Sequence, residues 1–465
     1  MKRKIYDKLI EWKNRDKGSS AVLIDGARRV GKSYIAEEFG RREYKSYVLI
    51  DFAKGENRVR DLFREYLGDL DTFFAYLEVA KGVKLHRRES LIIFDEIEYF
   101  PKAREAIKHF VADGRYDYIE TGSLISIAEN VKDILIPSEE LDMAMYPMDF
   151  EEFLWAKGRE DLMPMVRECF LHRRPLGPLH KMTMDLFREY MIVGGMPQVV
   201  EKYVNTRDFS VADMEKRKIL SLYRKGIKKH AGVHALRVER IFDEIPAQLS
   251  KHEKKFSFSA FGKDARLREY EDAVMWLADA MVVNVACSAT EPNVGLALSK
   301  DSSAIKCYFL DTGLLVSHAF STSSLTAEDV HRHILFDDFE FNEGMFAENV
   351  VSQQIAATGA PLYFFSRNER GNRAESMEID FLAARSKLVA KSNVIPIEVK
   401  CGRRLSHKSL DKFRGKYGEW LSTPYLLSAH DVKMDDGIVY LPLYMAGLVG
   451  TPLNPCEMAA EGAEK

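Results

Sequence analysis

Short runs of apolar residues alternate with longer amphipathic stretches in the first third of the chain. Four of these runs are almost continuously apolar, which is typical of strands buried on both faces of a sheet. Because helical stretches separate them, the pattern predicts an α/β domain with a parallel sheet over residues 1–170. The four predicted strands are Ala21–Asp25, Tyr47–Phe52, Leu91–Asp95 and Tyr116–Glu120.

The apolar spacing becomes helical in the middle of the chain and then returns to short strands. Ile241–Leu249 and Arg266–Ala280 repeat apolar residues at the spacing of a buried helix face. Two strand-like segments, Val282–Cys287 and Ile305–Leu310, follow them. Helices followed by a β-ribbon indicate a helical, winged-helix-like domain over residues 171–330.

A third region begins near residue 331. A predicted helix, Asn342–Ala357, precedes three short strands, and another helical stretch follows at Ser406–Tyr417. The pattern predicts a second α/β domain over residues 331–465. Its three predicted strands are Leu362–Ser366, Glu378–Ala383 and Val394–Lys400.

The composition is that of a globular protein. Hydrophobic residues make up 46% and charged residues 30%, which excludes wholesale disorder. The formal net charge of -3 means that nucleic acid would have to bind a local patch. Five scattered cysteines without a C-x-x-C pair argue against a disulfide framework or zinc site. With no long apolar run or signal-peptide pattern, we expect no membrane insertion and a cytoplasmic location.

The clearest chemical signal is a glycine-rich loop between the first predicted strand and a helix. It matches G-x-x-x-x-G-K-[ST] in full, and its glycines let successive backbone N–H groups converge on phosphate oxygens. The following helix adds its positive end. We expect Lys32 to reach the β- and γ-phosphates of ATP and Ser33 to ligate Mg²⁺. The predicted ATP-binding residues are Gly26, Ala27, Arg28, Arg29, Val30, Gly31, Lys32 and Ser33.

Two further strand ends supply residues expected for hydrolysis. The third predicted strand ends in Asp95-Glu96, where we expect Asp95 to hold Mg²⁺ and Glu96 to polarise the attacking water. The fourth is followed by Thr121 and Ser123, either of which can sense the γ-phosphate. The absence of an N/T-K-x-D guanine signature favours ATP. Two motifs in the right order disfavour a chance match of the loop.

Acidic and basic residues also recur on the strands of the last region. Alternation along a strand places Glu398 and Lys400 on one face, and Asp380 lies on the preceding strand. With Glu348 on the predicted helix, these residues suit a site in which Asp380 and Glu398 hold Mg²⁺ and Lys400 orients a water for phosphodiester attack. Two interpretations without catalysis are equally favoured: these residues form a structural ion pair, or they are what remains of an ancestral site.

Taken in order, the motifs resemble those of a large bacterial and archaeal family of AAA-like (ASCE-type) ATPases whose C-terminal part is domain of unknown function 4143. The resemblance implies a P-loop ATPase domain, a winged-helix-like middle part and a C-terminal domain similar to the PD-(D/E)XK, restriction-endonuclease-like nuclease fold. By motif match, Glu348, Asp380, Glu398 and Lys400 fall on that fold's acidic and lysine positions. The matching segments are GARRVGKS, FDEIEYFP, ETGSLISI, YPMDFEEFL, LFREYMIVGGMPQVV, YFLDTGLL, GMFAENVVSQQI, EIDFL and IPIEVKCG.

One departure from the family concerns an arginine. Many relatives carry a Gly-Arg pair before the segment that corresponds to YPMDFEEFL, but IPSEELDMAMYPMDF contains no arginine. The source of a transition-state arginine therefore stays open. Arg28, Arg29 and an arginine from another domain or subunit are the alternatives.

Two short boxes in the middle of the chain have local interpretations. Gly194-Gly195-Met196-Pro197 is typical of a helix stop with a tight turn, and a hinge is the alternative. Asp311-Thr312-Gly313 is predicted to be a structural turn and helix cap.

The functional hypotheses differ in what the last domain does. A basic stretch at Met214–His230 is the best local candidate for nucleic-acid contact, although such a run is also typical of a solvated helix face. The first hypothesis is an ATP-hydrolysing protein that acts on DNA or RNA through a nuclease-like domain. The alternative is an ATP-dependent switch or binding protein whose C-terminal domain is a non-catalytic platform. The sequence does not indicate the oligomeric state.

Overall fold

The computed structural model describes most of the chain and divides it into two compact units. The first unit is Met1–Tyr146 with Asp279–Met281, and the second is Pro147–Ala278 with Val282–Lys465. In the described part, no helix is both long and apolar enough to span a membrane. The residues described are 1–122, 138–251, 255–262, 266–292, 295–320, 343–368, 375–384, 393–402 and 405–450.

The first unit is built on a five-stranded sheet in which all neighbours are parallel, in the order β2-β3-β4-β1-β5. The predicted parallel α/β sheet is therefore confirmed. The strands are β1 (Ala21–Asp25), β2 (Ser46–Asp51), β3 (Ser90–Asp95), β4 (Asp117–Gly122) and β5 (Glu140–Ala144). The helices are α1 (Ile5–Asp16), α2 (Lys32–Glu43), α3 (Asn57–Glu65), α4 (Leu70–Lys81) and α5 (Pro101–Asp113).

A core of aromatic side chains supports the middle of this sheet. Phe94 of β3 stacks on Phe110 of α5 and on Tyr118 of β4, with ring centroids 6.0 and 6.3 Å apart. All residues of β1, β3 and β4 are buried. Because these three strands are parallel neighbours, their carboxyl ends meet at one edge of the sheet, which is where the predicted ATP-binding residues begin.

The second unit begins with a run of helices. The helices from Phe150 to Asp279 form the predicted helical middle region, and the basic stretch lies on the helix Phe209–His230. The helices are α6 (Phe150–Ala156), α7 (Leu162–Leu171), α8 (Pro178–Val193), α9 (Pro197–Thr206), α10 (Phe209–His230), α11 (Ala235–Leu249), α12 (Leu267–Asp279), α13 (Thr312–Ala319), α14 (Glu343–Ala356) and α15 (Lys408–Tyr417).

An eight-stranded mixed sheet follows, in the order β12-β13-β11-β10-β9-β8-β6-β7. β6 pairs in parallel with β8, Ala286 opposite Leu362, so strands from both sides of the expected boundary at residue 330 share one sheet. The strands are β6 (Val283–Ala289), β7 (Lys300–Phe309), β8 (Leu362–Arg367), β9 (Met377–Ala384), β10 (Val394–Val399), β11 (Tyr425–Ser428), β12 (Lys433–Asp435) and β13 (Ile438–Pro442).

Two features of this unit bear on the predicted winged helix and nuclease-like fold. The helices α11 and α12 precede the antiparallel hairpin β6-β7, and the backbone N–H of Phe256 donates to Ile305 at 2.8 Å along the outer strand. The later elements run in the order α14, β8, β9, β10, α15, β11, with β8-β9-β10 antiparallel and β10-β11 parallel. The middle and last regions thus contain helices and strands at the predicted positions, while the winged-helix and nuclease-like folds stay predictions.

Candidate functional site

The loop between β1 and α2 has a backbone that requires glycine at its start. A Cβ on Gly26 would lie 2.4 Å from the carbonyl oxygen of Met145, so any larger residue would clash with the backbone. Arg29 lies at φ 72°, in the left-handed region. Helix α2 begins at Lys32, directly after the loop, so its unpaired N–H groups lie beside the loop.

Lys32 is buried against this loop. Its Nζ donates to the carbonyl oxygens of Gly26 and Ala27 at 2.9 and 3.1 Å. Burial lowers the pKa of Lys32, while the nearby carboxylates of Glu96 and Glu98 oppose that shift. An ammonium that is desolvated and surrounded by acids gains most when a phosphate takes the place of the carbonyls.

Arg3 braces the same loop from the N-terminal segment. Its guanidinium donates to the carbonyl oxygen of Val30 at 2.8 Å and to that of Tyr146 at 2.6 Å. Sequence reasoning missed this residue, because nothing in the loop motif points to a partner 27 positions before Val30. The only signal was a basic residue just before the first amphipathic helix.

The predicted magnesium and sensor residues meet at the ends of β3 and β4. Ser33 and Thr121 both donate hydrogen bonds to Asp95; burial raises the pKa of Asp95 and these bonds oppose the shift. The backbone N–H of Glu96 donates to Thr121 at 3.3 Å, and Glu96 itself lies at φ 53°. Such a backbone conformation is costly for a non-glycine residue and is common at functional sites. Ser123 lies outside the described residues.

Glu98 is a second acid at this edge that sequence reasoning missed. It is buried, and burial together with the charge of Glu96 raises its pKa to about 7. The signal was present, because FDEIEYFP carries an acid two positions after Glu96. Two carboxyl groups so placed favour sharing a proton, which leaves one of them ionised.

These residues fit a magnesium nucleotide. Helix α2 begins directly after the loop, Lys32 supplies a cation, and the hydroxyl of Ser33 and the carboxylate of Asp95 are the oxygen donors that Mg²⁺ prefers. Such an arrangement can bind a triphosphate and stabilise the charge that develops on it.

A second cluster lies within the eight-stranded sheet and centres on a lysine that sequence reasoning missed. Lys306 of β7 has no exposed surface, and its Nζ lies 2.8 Å from Glu378 Oε1, 3.7 Å from Asp380 Oδ1 and 3.9 Å from Glu348 Oε2. The Tyr308 hydroxyl donates to Glu348 at 3.1 Å. The signal was a single charged residue within the apolar strand AIKCYFL.

The remaining predicted residues complete this cluster. Lys400 Nζ lies 2.7 Å from Glu398 Oε1, and the backbone N–H of Val399 donates to Asp380 Oδ2 at 2.9 Å. Burial raises the pKa of Glu398 to about 7, and the charge of Lys400 opposes this shift. Burial lowers the pKa of Lys400, but the carboxylates of Glu398, Asp380 and Glu348 outweigh burial and raise it. Glu348, Asp380, Glu398 and Lys400 thus lie together. Within the described ranges, no three histidine, cysteine, aspartate or glutamate side chains are arranged to hold a metal ion.

The two short boxes of the middle region pack against each other. Helix α8 ends at Val193, and the backbone N–H of Gly195 donates to Asp311 Oδ2 at 2.6 Å. The other oxygen of Asp311 accepts from Leu314 and caps α13, so the predicted helix stop and helix cap are both confirmed. A Cβ on Gly195 would lie 2.0 Å from the carbonyl oxygen of Met148. This box is therefore a backbone crossing.

The basic stretch on α10 is largely neutralised within the protein. Lys216 is fully buried and its Nζ donates to the carbonyl oxygen of Ile192 at 2.8 Å. Four other basic residues have acidic partners, so the stretch differs from a free positive face. The pairs are Arg217–Asp213, Lys218–Glu215, Arg224–Asp243 and Lys228–Glu239.

Comparison with known proteins gives distant structural neighbours, and no curated protein matches the chain. The Orc1 protein of Aeropyrum pernix in complex with DNA aligns at 12% identity and a TM-score of 0.28 over 69% of this chain and 93% of its own. The Drosophila origin recognition complex bound to DNA aligns at 14% and 0.28 over 69% and 96%. A signal transduction ATPase with a tetratricopeptide repeat sensor, from Pyrococcus horikoshii, aligns at 9% and 0.28 over 77% and 48%. Scores of this size carry no functional argument.

Family models match three consecutive parts of the sequence. Residues 18–154, which include the glycine loop and β3, match an AAA domain. Residues 184–325 match a domain of unknown function, DUF8612, and residues 343–445 match another, DUF4143. The chain therefore contains an AAA domain in its N-terminal part and a DUF4143 domain in its C-terminal part.

Proposed function

We propose that this protein binds Mg²⁺ and ATP at the glycine loop and hydrolyses the nucleotide there. The observation that carries the proposal is the connection of Ser33, Asp95 and Thr121 by hydrogen bonds at the carboxyl ends of buried parallel strands, beside the buried Lys32. The match of this region to an AAA domain supports it.

Each residue then has a defined role. Lys32 leaves the loop carbonyls and binds the β- and γ-phosphates, while Ser33 and Asp95 hold Mg²⁺, which supplies charge neutralisation on the phosphates. Glu96 orients and polarises the attacking water, and Thr121 senses the γ-phosphate. Glu98 is a positioning residue, since its buried carboxyl group, with a pKa raised to about 7, lies beside Glu96.

Replacement of the water-polarising group tests this proposal. We expect Glu96→Gln to retain ATP binding and to slow turnover on the order of a hundredfold or more, as for loss of a general base. Phosphate release under saturating Mg²⁺ and ATP measures the rate. The matched control is Glu105→Gln, on an exposed position of α5, which should turn over at the wild-type rate. Near-normal hydrolysis by Glu96→Gln would assign the role to another residue.

For the C-terminal region we propose a nuclease-like fold that serves as a non-catalytic platform, moved by the nucleotide state of the ATPase. The element order from α14 to β11 and the proximity of Asp380, Glu398 and Lys400 support the fold. The ion pairs of Lys306 with this cluster favour a platform over a nuclease.

Cleavage of DNA or RNA stays the second candidate. It is favoured by one observation, the pairing of Lys400 with Glu398 next to Asp380. A nucleic-acid partner is likewise a hypothesis. The basic residues of α10 do not support it by themselves, because several of them already pair with acidic residues of the protein. The helix before the hairpin is α12. Its first two turns carry three acidic residues, Glu269, Glu271 and Asp272, and one basic residue, Arg268. Acidic groups repel a phosphate backbone.

A further inference from the structure

A buried ammonium group lies among the carboxylates of the second cluster. Lys306 is fully buried, and one oxygen each of Glu378, Asp380 and Glu348 lies within 4.0 Å of its Nζ. The ring of Phe364 covers it, with 5.1 Å between Nζ and the ring centroid. The chain itself therefore supplies a positive charge at the point where these carboxylates converge.

Two further oxygens of the cluster have protein partners, whereas Glu398 Oε2 is buried without a hydrogen-bond partner among the described residues. Asp380 Oδ2 accepts from the backbone N–H of Val399, and Glu398 Oε1 pairs with Lys400. Asp380 therefore has one oxygen toward a lysine and the other toward the backbone. Mg²⁺ and Mn²⁺ need several oxygen ligands at about 2 Å, and the carboxylates cannot supply them while an ammonium stands between them.

The position of Lys306 in the sheet keeps its side chain in place. All of β7 from Ala304 to Phe309 is buried, and residues Val283 to Cys287 of β6 pair with this part of the strand. A lysine there cannot turn toward solvent without the strand leaving the sheet. Leaving an ammonium unpaired in such a site is strongly unfavourable, so the carboxylates and Lys306 stabilise each other.

We propose that Lys306 is a built-in counter-ion that takes the place of a divalent cation and holds this cluster in a metal-free, non-catalytic state. The acids and Lys306 then form one electrostatic unit that joins the hairpin β6-β7 to the strands of the DUF4143 domain. Removal of the ammonium should turn the same cluster into a divalent-cation site. The inference deepens the platform proposed above and is independent of ATP hydrolysis.

A Mn²⁺ titration of the full-length protein without nucleotide tests the proposal. Calorimetry should give no saturable uptake at this cluster in the wild type or in Lys300→Met, a control at the exposed start of the same strand. Lys306→Met should gain one site, at least tenfold tighter than any Mn²⁺ uptake of the wild type, and Asp380→Asn in that background should remove it. Any uptake at the glycine loop is common to all four proteins. A folded Lys306→Met without the new site overturns the proposal.

A second measurement uses thermal stability in place of Mn²⁺ binding. Thermal unfolding of Lys306→Met, Glu378→Gln and the double variant forms a double-mutant cycle. If Lys306 is the counter-ion, the double variant should unfold at a higher temperature than Lys306→Met, because the uncompensated carboxylate is gone. If the decreases in unfolding temperature of the two single variants simply added in the double variant, Lys306 would not be the counter-ion of Glu378.

Cleavage assays separate this inference from the proposed ATPase. Purified wild type should not nick plasmid DNA or cut RNA in Mg²⁺ or Mn²⁺. Metal-dependent nicking that disappears in Asp380→Ala and in Lys400→Ala would overturn the non-catalytic assignment and leave ATP hydrolysis standing. Loss of hydrolysis in the Glu96→Gln variant bears only on the first site.

Discussion

Three lysines of the described chain are buried, and each has a different partner. Lys32 contacts the loop carbonyls, Lys216 a single helix carbonyl, and Lys306 a set of carboxylates. Burial lowers the pKa of Lys216 to about 8. For Lys306 burial acts in the same direction, but the carboxylates of Glu348 and Asp380 outweigh it and raise the pKa above its usual range. The partner of a buried lysine, and not its burial alone, therefore decides whether its charge is stabilised.

Lys216 gives a pH prediction. Its pKa is about 8 in the folded protein against 10.5 for an exposed lysine, so the unfolded chain holds this proton more tightly and stability rises with pH between these values. The free energy of unfolding of the wild type, minus that of Lys216→Met, should rise by about 2 kcal/mol from about pH 7 to about pH 9.5. Urea unfolding at each pH measures it.

The control for this prediction is Lys218→Met, on an exposed position of the same helix where Lys218 pairs with Glu215. The difference in free energy of unfolding between the wild type and Lys218→Met should stay constant over the same pH range. If the free energy of unfolding changed with pH in the same way for the wild type and Lys216→Met, the lysine would bind its proton equally in the folded and unfolded states.

The residues that the sequence located are those whose chemistry depends on a local pattern. Lys32, Ser33 and Asp95 follow from a loop and a strand end, and the structure brings them together. Arg3 and Lys306 were missed, because each acts on residues far away in the sequence. A lysine is usually exposed, and only the fold shows that this one is not.

At the scale of elements, the Gly194-Gly195 box shows how a turn signal can conceal a contact. The pattern correctly predicted the end of α8, but it did not reveal that another backbone segment passes against Gly195. The N–H of Gly195 binds Asp311, and the missing Cβ makes room for Met148. The hinge alternative would need this crossing to open, and Asp311 holds it closed through a hydrogen bond at each carboxylate oxygen.

This crossing predicts a sharp difference between two glycines. Gly195→Ala places a Cβ 2.0 Å from a backbone oxygen and should destabilise the protein by on the order of 3 kcal/mol. Gly415→Ala, in α15 with no atom within 4 Å of the added Cβ, should stabilise it by roughly 0.5–1 kcal/mol. Urea unfolding of both variants measures the two free energies. Equal effects would contradict the crossing.

Strand prediction succeeded at β1 and β3, but it missed β11 and β13 although both are apolar and largely buried, and it missed the exposed β5 and β12. β1 and β3 are buried along their whole length and were found from the sequence to within a residue. β5 is half exposed, and β12 is exposed at all three positions, so neither has an apolar pattern to detect. These strands form because a neighbouring strand offers backbone partners, which a single sequence does not display.

For the whole molecule, the order of the sequence motifs indicated the order of the domains along the chain, but it did not indicate where one domain ends and the next begins. The AAA and DUF4143 matches lie where the sequence placed an ATPase and a second α/β region. A boundary near residue 330 looked natural because a new α/β pattern begins there. The pairing of β6 with β8 joins strands across that point. Domain limits stay a prediction, because pairing between distant strands leaves no local signal.

The proposed activity depends on binding of a nucleotide at the glycine loop, which a calorimetric titration of the full-length protein with MgATP measures. We expect saturable uptake of one nucleotide per chain by the wild type and by Lys8→Ala, a control at an exposed position of α1. Lys32→Ala should lose this uptake, because the ammonium that binds the β- and γ-phosphates is gone. No saturable uptake by the wild type, or equal affinity in Lys32→Ala, would contradict the account.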